Sequence, residues 1–169
     1  MKVIVMSKTT ATLHMLCGKI ASGKSTLAAN LAERNGAVIV SGDFWLSRLF
    51  PGEINTVADL GRCAGRLREA MGPHLVALLR GGTSVVLDFH ANTLASRAWM
   101  RSVYEQAGAN HKLHFLDVPD DVCRERLRQR NAAGTHEYVV SDEIFDQITS
   151  HFVAPSQDEG FCTILYRVE

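Results

Sequence analysis

What the 169-residue chain lacks narrows its class before any motif is read. No stretch approaches the roughly 18 to 20 consecutive apolar residues that a membrane span needs. The four cysteines, Cys17, Cys63, Cys123 and Cys162, are scattered and form no C-x-x-C pair. That argues against a disulfide framework and for reduced thiols in a cytoplasmic setting. An excess of either charge is also missing, because 18 Lys and Arg balance 18 Asp and Glu. Such a chain has no broad electrostatic footprint for nucleic acid or an anionic membrane. Repeats, linkers and low-complexity tracts are absent. The opening Met1–Met6 is too short for a signal-peptide core and runs into polar Ser7–Thr10. Residues 1–11 therefore read as an N-terminal extension, with Met6 as an alternative start, and 12–169 as a single domain of ordinary size.

Against that plain background one segment stands out. Gly18-Lys19-Ile20-Ala21-Ser22-Gly23-Lys24-Ser25 fills every fixed position of the phosphate-binding pattern G-x-x-x-x-G-K-[ST]. The apolar run Leu13–Cys17 before it reads as a buried strand, and Thr26–Glu33 after it as a helix. Glycines permit a tight loop whose N–H groups converge on a polyphosphate at a helix N-terminus. Gly18, Ala21, Ser22, Gly23, Lys24, Ser25 and Thr26 are the expected nucleotide contacts. Lys24 can reach the β- and γ-phosphates, and the Ser25 hydroxyl can ligate Mg²⁺.

Strands and helices alternate along the rest of the chain. Strands are predicted at 37–40, 83–87, 112–118 and 161–168. Helices are predicted at 44–50, 57–80, 94–107, 119–131 and 141–152, with Gly61, Gly65 and Gly72-Pro73 as points where the long one can split. This order implies an α/β sandwich with a parallel sheet covered on both faces. Such sheets carry their chemistry at the carboxyl ends of the strands. Asp43 and Asp88 both fall there, after Val38–Val40 and Val85–Leu87. One acid can take a proton from an attacking hydroxyl while the other holds Mg²⁺. The plainer roles are a helix N-cap for Asp43 and a turn or cap for Asp88. On the helix from 119, Cys123, Leu127 and Arg130 share a face with Arg126 at its edge. Arg126 and Arg130 thus aim at the body, where cations can stabilise a transferring phosphoryl group. Arg124 and Arg128 point to water, within reach of Asp120, Asp121 and Glu125.

In this order the motifs resemble the P-loop kinases, and more narrowly the zeta-toxin, chloramphenicol-phosphotransferase and polynucleotide-kinase-like branch. Val86–Thr93 followed by Arg97 is similar to that branch after its third strand. Phe152-Val153-Ala154-Pro155 with Glu159-Gly160-Phe161 resembles the ending of small kinases of the same type. The resemblance implies a five-stranded sheet in the order 2-3-1-4-5, ATP or GTP as donor, and Mg²⁺ held by Ser25 and Asp88. It also implies Asp43 as base, and Arg126 and Arg130 on a lid around 119–140. Arg97 is placed against the acceptor or its phosphate. The stretch 44–80 should line the acceptor pocket, offering Phe44, Trp45, Phe50, Arg62 and Arg66, and His90 is a further candidate contact. His111 and His114 have no evident ligand partners. The expected activity is transfer of the γ-phosphate to a hydroxyl of a small molecule such as an antibiotic, nucleoside or sugar, by a monomer or homodimer. A 5′-hydroxyl polynucleotide kinase, or a nucleotide switch working through a partner, is the rival reading.

Overall fold

Alternation along the central strand sorts the core into two faces. In β1 (Thr12–Cys17), Leu13, Met15 and Cys17 point to one side of the sheet, and His14 and Leu16 to the other. The structure is a computed structural model and describes residues 10–134 and 139–167. Around β1 stand β2 (Val38–Ser41), β3 (Val85–His90), β4 (Asn110–Asp117) and β5 (Thr163–Arg167). All pairs are parallel, and the order is β2-β3-β1-β4-β5. The intervening helices are α1 (Lys24–Asn35), α2 (Gly42–Leu49), α3 (Val57–Arg80), α4 (Leu94–Ala107), α5 (Asp120–Ala133) and α6 (Asp142–Thr149). The order anticipated from the sequence is the one observed, with helices on both faces.

The larger core lies between the sheet and α3 and α4, where Leu13, Met15, Val85 and Leu87 meet Leu67, Leu75 and Met100. On the opposite face α1 covers Leu16 and Val86 through Ala28. Beside it, α5 and α6 bury Cys123, Leu127 and Phe145 against Leu116. Ala11, assigned to the extension, is itself buried in the larger core. Residues 1–9 of that extension, 135–138 of the expected lid and 168–169 lie outside the described residues.

Three elements depart from the expectation. The long helix α3 is unbroken, with Pro73 inside it. Its stripe Cys63, Leu67, Met71, Leu75 and Leu79 recurs every four residues and packs continuously across Gly72-Pro73, which outweighs one lost backbone bond. Its start is fixed by a capping box between Thr56 and Asp59. Strand β3 does not end at Asp88 but continues to His90, and its register with β1 slips between Met15 and Leu16. Helix α6 stops at Thr149, short of residue 152.

The α1 face also buries two polar rings. His14 Nδ1 and His114 Nε2 are 3.0 Å apart, and His114 Nδ1 lies 2.9 Å from the Tyr166 hydroxyl. Burial, then the neighbouring His14 and Lys112, push the His114 pKa down to about 4. Above the ordinary value near 6.5 the imidazole is neutral in both folded and unfolded chains. As pH falls from 6.5 towards 4 the unfolded chain takes up the proton first, so stability is lost across that window. The size of this loss is about 3 kcal/mol from a shift of that magnitude. Urea midpoints at pH 7.5 and 4.5 should show it, and His114→Gln should flatten the pH slope relative to the wild type.

Candidate active site

The phosphate loop is shaped by its own backbone. Gly23 has φ 102° and sits at the N-terminus of α1, a conformation that a side chain would strain. At Gly18 space is the constraint, since a Cβ would meet Ser22 Oγ at 2.7 Å and the Leu116 carbonyl at 3.0 Å. Lys24 is buried and its Nζ donates to the Gly18 and Lys19 carbonyls at 2.7 and 2.6 Å. Burial lowers its pKa, opposed by the Asp88 and then the Asp43 carboxylate. Those two acids therefore act on the same ammonium, from the ends of two neighbouring strands.

Asn92, one residue that the motif reading left without a role, fixes the mouth of this loop. Its Oδ1 accepts from the Gly18 N–H and its Nδ2 donates to the Gly18 carbonyl, both at 2.9 Å. One side-chain amide thus satisfies both backbone groups of the residue where β1 turns into the loop. Asn92 is held in turn, because its carbonyl accepts from the Val153 N–H at 2.8 Å. The sequence signal available was a short polar side chain two residues past the end of a buried strand.

Around the loop opens a cavity of about 1180 Å³. Loop residues 20–26, Asp43, His90, Arg126 and Arg130 all line it. Asp43 is in the first turn of α2, and the N-cap role falls to Ser41, whose Oγ accepts from Phe44 N. Asp88 pairs with Ser41 inside the sheet and caps nothing, the cap of α4 being Thr93. Arg126 Nη1 donates to the Ser22 carbonyl across 3.4 Å, tying α5 to the loop.

Six expected acceptor contacts lie elsewhere, among them Phe44, exposed on α2, and Phe50, packed against the larger core. Arg97 is fully buried and binds Glu159 through two hydrogen bonds of 2.6 and 2.9 Å. Its Nη1 donates to the Ala91 and Val153 carbonyls, so the guanidinium serves the fold and faces no ligand. Arg62 pairs with Glu53 and Asp59 outside the cavity. Arg66 is exposed on α3, and Trp45 is exposed on α2, edge-on to Phe44; neither lines the cavity. Arg124 and Arg128 do not pair along their own helix but reach Asp142 and Asp146, joining α5 to α6.

The residues present fit a nucleotide with its cation. The buried Ser22 hydroxyl has no hydrogen-bond partner, and Lys24 rests on loop carbonyls that a phosphate oxygen would replace. Among the described residues no three His, Cys, Asp or Glu side chains converge as a metal cage. Mg²⁺ is usually held by one or two protein oxygens together with substrate phosphates, and Ser25 lines the cavity beside Lys24.

Sequence and fold comparisons bear on the family and the fold. Residues 13–155 match the AAA_33 family, described as an AAA domain, and the chain belongs to it. No curated protein matches the chain in sequence. Among solved structures, a candidate kinase from Chloroflexus aurantiacus is 19% identical with a TM-score of 0.76, over 95% of this chain and 87% of that one. A gluconokinase from Sinorhizobium meliloti 1021 is 17% identical with a TM-score of 0.62, over 96% and 85%. Kti12 of Chaetomium thermophilum, solved with ADP-AlF₃, is 15% identical with a TM-score of 0.68, over 92% and 88%. At such identities the likeness is one of fold, a P-loop fold shared with kinases.

Asn92→Ala removes two partly buried hydrogen bonds and should weaken Mg²⁺-nucleotide binding about tenfold, the effect of one to two such bonds. Calorimetric titration on a variant with native circular dichroism checks this, and an unchanged Kd would deny Asn92 its hold on the loop.

Proposed function

We propose that this protein is an ATP-dependent kinase that transfers the γ-phosphate to a hydroxyl of a small molecule. Its place would be within the zeta-toxin, chloramphenicol-phosphotransferase and polynucleotide-kinase-like branch. The observation that carries the reading is convergence: the loop with Lys24, the carboxylate of Asp43, and Arg126 and Arg130 line one cavity. A kinase needs, besides the loop, a carboxylate that can take the acceptor's proton and cations that bear on the transferring group.

In this mechanism the loop amides and Lys24 hold the polyphosphate of ATP or GTP. Ser25 and Asp88 would hold Mg²⁺, which would neutralise charge on the polyphosphate. Asp43 orients the acceptor hydroxyl and accepts its proton as the oxygen attacks in line. Arg126 and Arg130 bear on the charge that spreads over the transferring group. Closure of α5 over the site would exclude water and suppress idle hydrolysis.

Labelled transfer from ATP–Mg²⁺ to a panel of hydroxylated acceptors tests the activity. Asp43→Asn should reduce transfer at least about a hundredfold, the scale of a lost general base, with nucleotide affinity within a few fold of wild type. Lys24→Ala should weaken nucleotide binding itself. Full turnover in Asp43→Asn would remove it as the base, and hydrolysis indifferent to every acceptor would favour the switch. A polynucleotide kinase would show acceptor binding that falls steeply with salt.

A further inference from the structure

From the composition of the cavity walls we infer the charge class of the acceptor: an uncharged molecule that presents an apolar face beside its reacting hydroxyl. The inference rests on the kinase reading for the meaning of "acceptor", and concerns the part of the cavity beyond the phosphate loop. At about 1180 Å³ the cavity exceeds the range of roughly 300 to 1,000 Å³ usual for one ligand, and so has room for two.

Its cations are Lys24, Arg126 and Arg130, and all three belong to the loop or to the helix tied to it. Two further walls lie beyond the loop and α5. One is the segment entering α3, with Ile54, Val57 and Leu60 as its apolar members. The other is α6, which splits its apolar residues between two faces. Phe145 packs into the core under α5, while Ile144 and Ile148, one helical turn apart, line the cavity. Polar groups on these walls are neutral ones, Asn55, Thr56 and Gln147. Asp43 and His90 are the titratable side chains there among the described residues.

Among the described residues neither wall offers a fixed cation, whichever of them receives the nucleoside and whichever the acceptor. An anionic acceptor would lose its hydration against Ile144, Ile148 or Ile54 with no positive partner, and would meet the Asp43 carboxylate besides. The arginines that a sequence reading offers to such an anion, Arg62, Arg66 and Arg97, are turned outward or bound within the fold. An uncharged acceptor instead covers the isoleucines and leaves Asn55, Thr56 and Gln147 to hydrogen-bond its remaining hydroxyls.

The test uses matched pairs differing by one ionised group, on the full chain saturated with a non-hydrolysable ATP analogue and Mg²⁺. Glucose is compared with glucuronate, adenosine with its 5′-monophosphate, and a phenyl-substituted propanediol with the corresponding hydroxy acid. Binding is read by calorimetry and, with ATP, transfer by kcat/KM. The uncharged member should be preferred at least tenfold within the pairs that bind, with the phenyl diol the best of the three. Of Ile148→Arg and Ile54→Arg, the variant on the acceptor's wall should narrow or reverse that preference with nucleotide affinity within a few fold of wild type, and failure of both variants to do so overturns the inference. Preference for the anionic members, equal treatment of both, or binding by no member overturns the inference. Binding of the uncharged members without transfer upholds the charge class of the ligand that this part of the cavity takes and counts against the kinase reading, so the two fail separately.

Discussion

A single side-chain amide, that of Asn92, connects the sheet to the chemistry. Gly18 is where β1 stops being a strand, and its N–H and C=O have no sheet partner once the chain turns into the loop. Asn92 supplies both, at 2.9 Å each. Its reach is possible because β3 slips against β1 near its end, so that Leu16 pairs with His90. That slip brings the chain after β3 to the loop mouth and leaves Asp88 beside the lysine. The Gly18 carbonyl is therefore shared between Asn92 and Lys24. When the ammonium turns to a phosphate, the carbonyl keeps its other donor and the loop need not rearrange.

The lid side obeys a different rule. Helix α5 is anchored at its base by Cys123 and Leu127 and joined to α6 by ion pairs at the surface. Exposed ion pairs contribute little to stability, but they fix geometry between two short helices. Arg124 also lies over the Phe145 ring at 4.5 Å, so one guanidinium links the surface pairs to the core. Arg126 and Arg130 are in this way presented to the cavity by residues that take no part in it.

The sheet and its order were legible from strand–helix alternation, since buried parallel strands leave continuous apolar runs such as Val85–Leu87. The loop was legible because its residues are contiguous. What could not be read was decided by contacts distant in sequence. Arg97 looks like a ligand contact until Glu159, far along the chain, is seen to hold it. Asn92 looks like a turn residue until Gly18 is placed beside it. Trp45, Arg62 and Arg66 sit at the right positions along the chain, but helix rotation sends them outward, and the pocket wall falls to Ile54, Val57 and α6 instead. The long helix over Gly72-Pro73 shows the same thing: a continuous packing stripe overrules local breakers.

The bond from Val153 to Asn92, and the Arg97–Glu159 pair beside it, also bear on synthesis. The phosphate loop leaves the ribosome early, whereas the residues that brace its partner Asn92 are made more than a hundred residues later. At 5–20 residues per second that interval is on the order of ten seconds. During it the nascent chain carries a loop sequence without its brace. Competence to hold nucleotide would thus arise late, when the segment around Val153 and Glu159 has docked, and the growing chain would not draw on cellular nucleotide before it has folded.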